Sequence, residues 1–455
     1  MSRKILVMCP TERELRSLPP LAEKLGVELD FDTVTGGGFV KDFGFGKRLN
    51  VPEIIEAKVA QYKNSSGDGS SIDGVVASVG FPGMTAITAE IARRLHLPGP
   101  DPAVILRCDH KYYCRRAQEE YVPDAVASYR LFNPSSDTVS DSNLRYPFFM
   151  KPVKSILSYG AHRIDNREQF EQALATTSMP EGFLEPIKWL IKEFTEFEEE
   201  TDQFILEELL TGMQVSLEGF VFEGEVTVMA IVEAVLIPGT LSFIRWHYPA
   251  RVPEEIHQKM TDVARDFMTG VGFDNAPFNM ELMYNPQTGS VSIIEVNTKL
   301  ANQFCDLIEK VDGYNPFTVM MQVAIGDKPE IRRGEGPYNV ATSCVFRVFE
   351  DMKALSVPSK KDIDAVTSRF PDSIIEVLAV PGKYLSEQFQ DTESYRYALA
   401  NIGASSYDEI EERFAEIKQM LPFIMERRAD KASGDSAILD SAEVELDLFG
   451  SGISG

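Results

Sequence analysis

The chain has 455 residues, 44% hydrophobic and 25% charged, values of an ordinary globular protein with room for several domains and a large core. Its net charge of −25 argues against nucleic acid or an anionic membrane as a general partner, so an anionic ligand would need a locally basic pocket, a metal, or both. No apolar run approaches the ~20 residues of a membrane span, the start MSRKILVMCP has no signal-peptide core or cleavage site, and the cysteines (Cys9, Cys108, Cys114, Cys305, Cys344) are scattered as in a cytoplasmic protein.

Lys4 to Met8 reads as a buried strand, Glu12 to Leu25 as a helix, Gly74 to Val79 as a second strand and Thr85 to Leu95 as an amphipathic helix. Strand, turn, helix is the doubly wound α/β pattern. The turn Gly80-Phe81-Pro82-Gly83 is too short for a dinucleotide fingerprint, and the serine- and glycine-rich stretch from Asn64 to Ser71 reads as a surface loop. Leu97-Pro98-Gly99-Pro100-Asp101-Pro102 is a stiff connector, taken as a domain boundary. A helix from about Pro102 carries Arg107, Lys111 and Arg115 at i, i+4 and i+8, which stacks three cations on one face. Cys108, His110 and Cys114 cluster there too, without the second ligand pair that zinc requires.

Phe148 to Val153 is an apolar strand holding Lys151, either an edge lysine or one kept for an anion. The small-residue loop from Lys154 to Gly160 has backbone N–H groups and hydroxyls able to fold over phosphates, and a strand from Ala161 to Ile164 and a helix from Asn166 to Thr176 follow. Strands are expected at Asp202 to Leu210, Val215 to Phe222, Val226 to Ala234 and Ser242 to His247, then a helix from Pro253 to Thr269. Phe278 to Tyr284 and Val291 to Val296 flank Asn-Pro-Gln-Thr-Gly, a β-hairpin signature. With Tyr284 opposite Ser292, alternation puts Asn279, Glu281, Glu295 and Asn297 on one face and Met280, Leu282, Ile294 and Val296 in the core. Facing carboxylates repel. Either the face is solvated or a hard cation such as Mg²⁺ sits between them. A helix from Pro316 to Ile325 closes this region, and from Tyr338 strands and helices alternate (Ala341 to Phe349, Lys361 to Phe370, Ile374 to Val380, Ser406 to Gln419) before an acidic tail.

Lysine on a helix, lysine on a strand, a small-residue loop, Glu-Glu-Leu-Leu, and then Glu and Glu-x-Asn on a hairpin, in this order, resemble the ATP-grasp superfamily over about residues 74 to 330. The connector and the C-terminal part look like its carboxylate-amine ligase branch, which includes L-amino acid ligases. The resemblance implies a mixed α/β and α+β fold: an N-terminal doubly wound domain (1–100), an ATP-binding lid and linker (101–210), a metal- and substrate-binding sheet (211–330), a small α+β domain (331–430) and a flexible tail (431–455). It implies ATP with Mg²⁺, or Mn²⁺ in its place, an ADP-forming carbon–nitrogen ligase acting on small carboxylates and amines such as amino acids, and a homodimer as one compatible assembly. By position, Lys111 and Lys151 match the phosphate-contacting lysines, Ser155, Ser158 and Gly160 the loop over the triphosphate, Glu207, Glu208, Leu209 and Leu210 the adenine-reading hinge, and Glu281, Glu295 and Asn297 the metal ligands. Two positions depart from the pattern: Gln214 stands where many relatives have a ribose-binding acid, leaving Gln214 or Glu218 as candidates, and Lys299 stands where they have an arginine. Arg245 and His247 share one strand face and, with Lys299, are the candidates for the acyl side of the reaction, with Arg347 as the alternative. A non-catalytic nucleotide-binding regulator and an ATP-dependent carboxylase are the competing readings. The carboxylase is disfavoured by the lack of a Met-Lys-Met biotin-carrier signature.

Overall fold

The computed structural model describes residues 2–32, 49–63, 71–77, 83–139, 144–155, 159–179, 182–198, 201–240, 242–388, 390, 394–428 and the backbone of 438–440. The loop at 64–70, the turn residues 80–82, Ser158 and nearly all of the acidic tail lie outside the described residues. The chain forms two compact units, one of Met1–Ile231, Arg251–Cys305 and Asn315–Ile331, the other of Val232–Ala250, Asp306–Tyr314 and Arg332–Gly455.

The first unit opens with a parallel sheet in which β1 (Arg3–Val7) lies between β2 (Val27–Phe31) and β3 (Gly74–Val76). Helices α1 (Glu12–Leu25), α2 (Val51–Lys63) and α3 (Met84–Arg94) accompany it. Local chemistry sets the ends of α1. Thr11 and Glu14 make a reciprocal capping box at the start, and Gly26, at φ 66°, stops the helix in the left-handed conformation.

One expected helix is two. Helix α4 (Pro102–Asp109) ends where His110 leaves the helical region at φ −89°, ψ 105°, and α5 (Lys111–Tyr121) starts anew. The Lys111 N–H donates to the Val153 carbonyl at 3.0 Å instead of continuing the ladder of α4. Arg107 is therefore not in register with Lys111 and Arg115, and only the latter two remain one turn apart on one helix.

An antiparallel sheet follows, in the order β4 (Tyr129–Phe132), β7 (Phe204–Glu208), β5 (Phe148–Pro152), β6 (His162–Ile164), with α6 (Arg167–Thr176) and α7 (Glu185–Phe194) between β6 and β7 in the chain. Phe132, Phe148, Met150, Ile164, Phe170 and Leu206 form its core. Next come β8 (Met213–Phe222) and β9 (Glu225–Leu236); the residues of β9 from Val232 onward and β10 (Phe243–Tyr248) belong to the second unit. After α8 (Glu254–Val271), β11 (Ala276–Asn285) and β12 (Ser290–Asn297) complete the first unit's third sheet, ordered β12, β11, β8, β9. Helix α9 (Asn302–Asp312) follows, its residues from Asp306 onward belonging to the second unit, and then α10 (Pro316–Ala324) of the first.

In the second unit β9 and β10 are followed across the sheet by β13 (Val340–Val348), then β16 (Tyr395–Ala404), then β15 (Ile374–Val377). Strands β14 (Met352–Ser356), β17 (Ile424–Arg427) and β18 (Ile438–Asp440) make a small second sheet, and α11 (Lys360–Arg369) and α12 (Tyr407–Met420) complete the unit. Its core gathers Phe346, Tyr397, Phe414 and Phe423 around buried alanines of β16. No helix among the described residues is long and apolar enough to cross a membrane.

Candidate active site

The chemistry-bearing residues of the first unit converge on the polar face of β8, β11 and β12. Backbone register produces two rows: Asn297, Asn279 and Glu218 are cross-strand neighbours, as are Glu295, Glu281 and Ser216. Phe278, Met280, Leu282 and Val296 are buried on the opposite face.

The hairpin contains one feature that alternation alone does not give. Glu281 pairs with Glu295, but Leu282 pairs with Ile293, so Ile294 is an extra residue in β12, a β-bulge. Ile293 rather than Ile294 is consequently the fully buried core residue, and Tyr284 faces Val291 rather than Ser292. The bulge changes the phase of the strand between the turn and Glu295, which brings the two carboxylates to the same face.

Each of these carboxylates already has a hydrogen-bond or ion-pair donor. Lys111 Nζ lies 2.9 Å from Glu295 Oε1, and Gln214 Nε2 donates to Glu281 Oε2 at 2.9 Å. Burial and the neighbouring charge of Glu295 push the Glu281 carboxyl up, while Lys111 and Lys151 more than offset the burial of Glu295 and hold it down. Asn297 donates its amide nitrogen to Asn279 Oδ1 at 3.1 Å, a bond that leaves its own amide oxygen unused, and Asn279 in turn donates to Ser216 and Glu218, both at 2.6 Å.

Glu218 is 1% exposed and also accepts the Ala301 N–H at 3.2 Å. Burial raises its carboxyl to about 8 in spite of those donors. Of the two ribose candidates, then, Glu218 is enclosed beneath the hairpin, and Gln214 is half-buried beside Glu281. Lys299 is half-buried two residues past Asn297, and its charge acts on both Glu218 and Glu281.

The second lysine belongs to an ion-pair triad that sequence reading did not foresee. Glu207, 4% exposed on β7, accepts from Lys151 on β5 and, at 2.6 Å, from Arg115 Nε on α5. The two cations outweigh burial and keep its carboxyl at about 2. Lys151 is itself only 8% exposed, so it is not an edge lysine with its head in water. Lys151→Ala should weaken nucleotide binding and also destabilise the fold by roughly 1–3 kcal/mol, because it strips one partner from a buried carboxylate. Denaturant unfolding of Lys151→Ala and Lys111→Ala side by side checks this, the second variant being expected to cost less.

After β7 the hinge residues part company. Glu208 is exposed and accepts the Ser128 N–H at 3.0 Å, while Leu209 and Leu210 are half-buried outside the strand. Gly212 then adopts φ 138°, and a Cβ there would lie 2.0 Å from the Tyr284 carbonyl oxygen, so only glycine allows this turn to pass the hairpin. Ser155 is buried at the start of the loop that begins with Lys154, and Gly160, at φ 72°, has a conformational reason to be glycine. Lys154, also missed, pairs with Asp109 at 2.9 Å, and Asp109 accepts from Thr298, the residue after Asn297, at 3.3 Å.

Arg245 and His247 lie in the second unit. Both are buried on β10 with Trp246 half-buried between them, as alternation predicts. Both Arg245 Nε and Nη2 donate to Glu411, at 3.1 and 2.9 Å, and the guanidinium sits 4.3 Å from the Phe414 ring centroid. His247 Nδ1 is 2.8 Å from Thr342 Oγ1, and its ring is 4.4 Å from that of Tyr407.

Residues 144–306, which hold this hairpin, the lysine strand and the small-residue loop, match the sequence profile of the ATP-grasp domain. This segment is an ATP-grasp domain. Solved structures show that the ATP-grasp fold extends over nearly the whole chain. An L-amino acid ligase from Bacillus licheniformis superposes with a TM-score of 0.67 at 17% identity, over 92% of this chain and 98% of that one. An N5-carboxyaminoimidazole synthase from Aspergillus clavatus, in complex with ADP and 5-aminoimidazole ribonucleotide, gives 0.63 at 15% over 92% and 98%, and a biotin carboxylase from Campylobacter jejuni gives 0.63 at 12% over 98% and 94%. No curated protein matches the sequence. At these identities the likeness establishes the ATP-grasp fold and leaves the reaction to be argued from the site.

Proposed function

We propose that this ATP-grasp protein is an ADP-forming ligase that joins a small carboxylate to an amine. The observation that carries the reading is the register pairing of Glu281 with Glu295 on a polar sheet face flanked by Lys111, Lys151 and Lys299. Among the described residues no group of three or more His, Cys, Asp or Glu side chains converges on a cation position. Two carboxylates and an amide oxygen nevertheless suit Mg²⁺, which is bound by one or two protein carboxylates and completes its shell with phosphate oxygens and water. Lys111 and Gln214 now donate to the same carboxylates, so each acid has an oxygen directed at a donor. In this reading Glu281, Glu295 and Asn297 hold Mg²⁺ or Mn²⁺, which when bound neutralises phosphate charge.

The chain's own residues perform the remaining tasks. Lys111 and Lys151 bind the ATP phosphates, Ser155, Ser158 and Gly160 cover them, the backbone from Glu207 to Leu210 takes the adenine, and Gln214 takes the ribose in preference to the enclosed Glu218. A substrate carboxylate oxygen attacks the γ-phosphorus and ADP departs. The amine nitrogen then attacks the acyl carbon, phosphate departs, and the amine proton is released. Lys299 is assigned to the donor carboxylate. Arg245 and His247, buried in the second unit, are given no part in this reading. Excluding water matters because an acyl phosphate hydrolyses.

ADP and phosphate release across a panel of carboxylates and amines, with product masses, tests the proposal. Release that needs a carboxylate, rises with an amine and yields an amide supports it. Bicarbonate-dependent release without amide indicates a carboxylase, and tight ATP binding without turnover indicates a regulator. Lys299→Ala should raise the donor KM at least ~10-fold with little change in ATP affinity, since it removes one charge-assisted contact. Substrate saturation curves check this.

A further inference from the structure

Arg115 is 2% exposed, and its guanidinium joins three separate parts of the first unit. Nε donates to Glu207 Oε1 at 2.6 Å, Nη1 to Gln118 Oε1 at 2.7 Å, and Nη2 to the Ile294 carbonyl at 2.8 Å. The last of these bonds is the informative one. Ile294 is the extra residue of the β12 bulge, and a bulge residue's backbone is left out of the ladder. β12 is the edge strand of its sheet and Ile294 is half-buried, so a donor for the carbonyl that the ladder does not use has to come from outside the sheet or from water. Arg115 supplies it, and being planar and forked it can hold Glu207 and Ile294 at once.

We infer that Arg115 is a positioning residue for the metal ligands: it stabilises the Ile294 bulge that turns Glu295 to the face of Glu281. Without the bulge, the pairing of Leu282 with Ile293 would continue as Glu281 with Ile294, and Glu295 would move into the core phase of the strand. Arg115 also fixes α5, so that Lys111, one turn earlier, meets Glu295. The same guanidinium ties Glu207 of the proposed nucleotide hinge to the carboxylate hairpin. The inference rests on the proposed metal site.

The test is Mn²⁺ affinity, read by electron paramagnetic resonance in the presence of a non-hydrolysable ATP analogue, for wild type, Arg115→Lys, Gln118→Leu and Glu295→Gln. Lysine keeps the charge and cannot bridge both acceptors; its variant should bind Mn²⁺ about 10–100-fold more weakly, the range for loss of a residue that orients metal ligands. Gln118→Leu removes one anchor of the guanidinium and leaves its bonds to Glu207 and Ile294, so it should weaken Mn²⁺ less, about threefold. It serves if Arg115→Lys does not fold. Thermal unfolding and analogue affinity without metal are measured alongside, because a purely structural arginine would shift the melting temperature and leave the metal affinity of the folded protein alone. Folded Arg115→Lys and Gln118→Leu with wild-type Mn²⁺ affinity, beside a Glu295→Gln variant that has lost it, overturn the inference and leave the site reading intact. Unchanged Mn²⁺ binding in Glu295→Gln overturns the site reading as well.

Discussion

Glu295→Gln and Glu281→Gln are expected to fold and to lose metal-dependent ATP turnover by about 100-fold or more, above the loss typical of residues that only orient metal ligands. Both substitutions keep the shape of the side chain and remove one negative charge from a pair that repels itself. Burial and Glu295 already push the Glu281 carboxyl up, so neutralising that position relieves strain on the fold. Glu281→Gln should therefore match or slightly exceed wild type in stability. Glu295→Gln leaves Lys111 without its carboxylate partner, 2.9 Å away in the native protein, and should cost about 1 kcal/mol. Function and stability thus move apart in Glu281→Gln, and Glu295→Gln loses its turnover for only a small cost in stability. Steady-state ATPase with Mg²⁺ and Mn²⁺, paired with denaturant unfolding, measures the separation, and full turnover in both variants would remove the hairpin from the active site.

The largest stability effect should come from Glu207→Gln, at about 3–5 kcal/mol, because one substitution leaves two buried cations, Arg115 and Lys151, without a counter-charge. The pH response gives a second handle. The folded carboxyl is held at about 2, below an unfolded value of about 4.3. Stability from this group is complete above the unfolded value and is lost as the pH falls through the folded one. Wild-type stability should accordingly drop between about pH 4 and 2 by a component that Glu207→Gln lacks. Urea unfolding at several pH values compares the two slopes. Parallel curves would mean that Glu207 keeps an ordinary carboxylate in the fold.

The buried triad explains why part of the site was legible in sequence and part was not. The hairpin could be read locally, since turn formers and a period of two fix which residues share a face over a few positions. The order of lysines, acids and Glu-x-Asn pointed to the superfamily before any geometry existed. Arg115 could be read only as one of three cations on a helix face, because its partners, Glu207 and the Ile294 carbonyl, are distant in the chain. Nothing near residue 115 indicates that a carboxylate will be buried against it.

What the sequence by itself determined is what short-range chemistry controls: α1 with its Thr11 and Glu14 capping box, the Asn-Pro-Gln-Thr-Gly turn, the alternation that puts Asn279 with Glu281 on one strand and Glu295 with Asn297 on the other, and the ATP-grasp fold through its ordered motifs. Tertiary structure alone decided the break at His110, where a hydrogen bond from Lys111 to Val153 outcompetes helix continuation. It also decided the bulge at Ile294, which exists only relative to a partner strand, and the strand Tyr395–Ala404, whose long buried run shows no alternation to read because neighbours cover both its faces. Register, burial and ion pairing depend on which distant segments meet, and that information is spread over the whole chain rather than held in any one stretch of it.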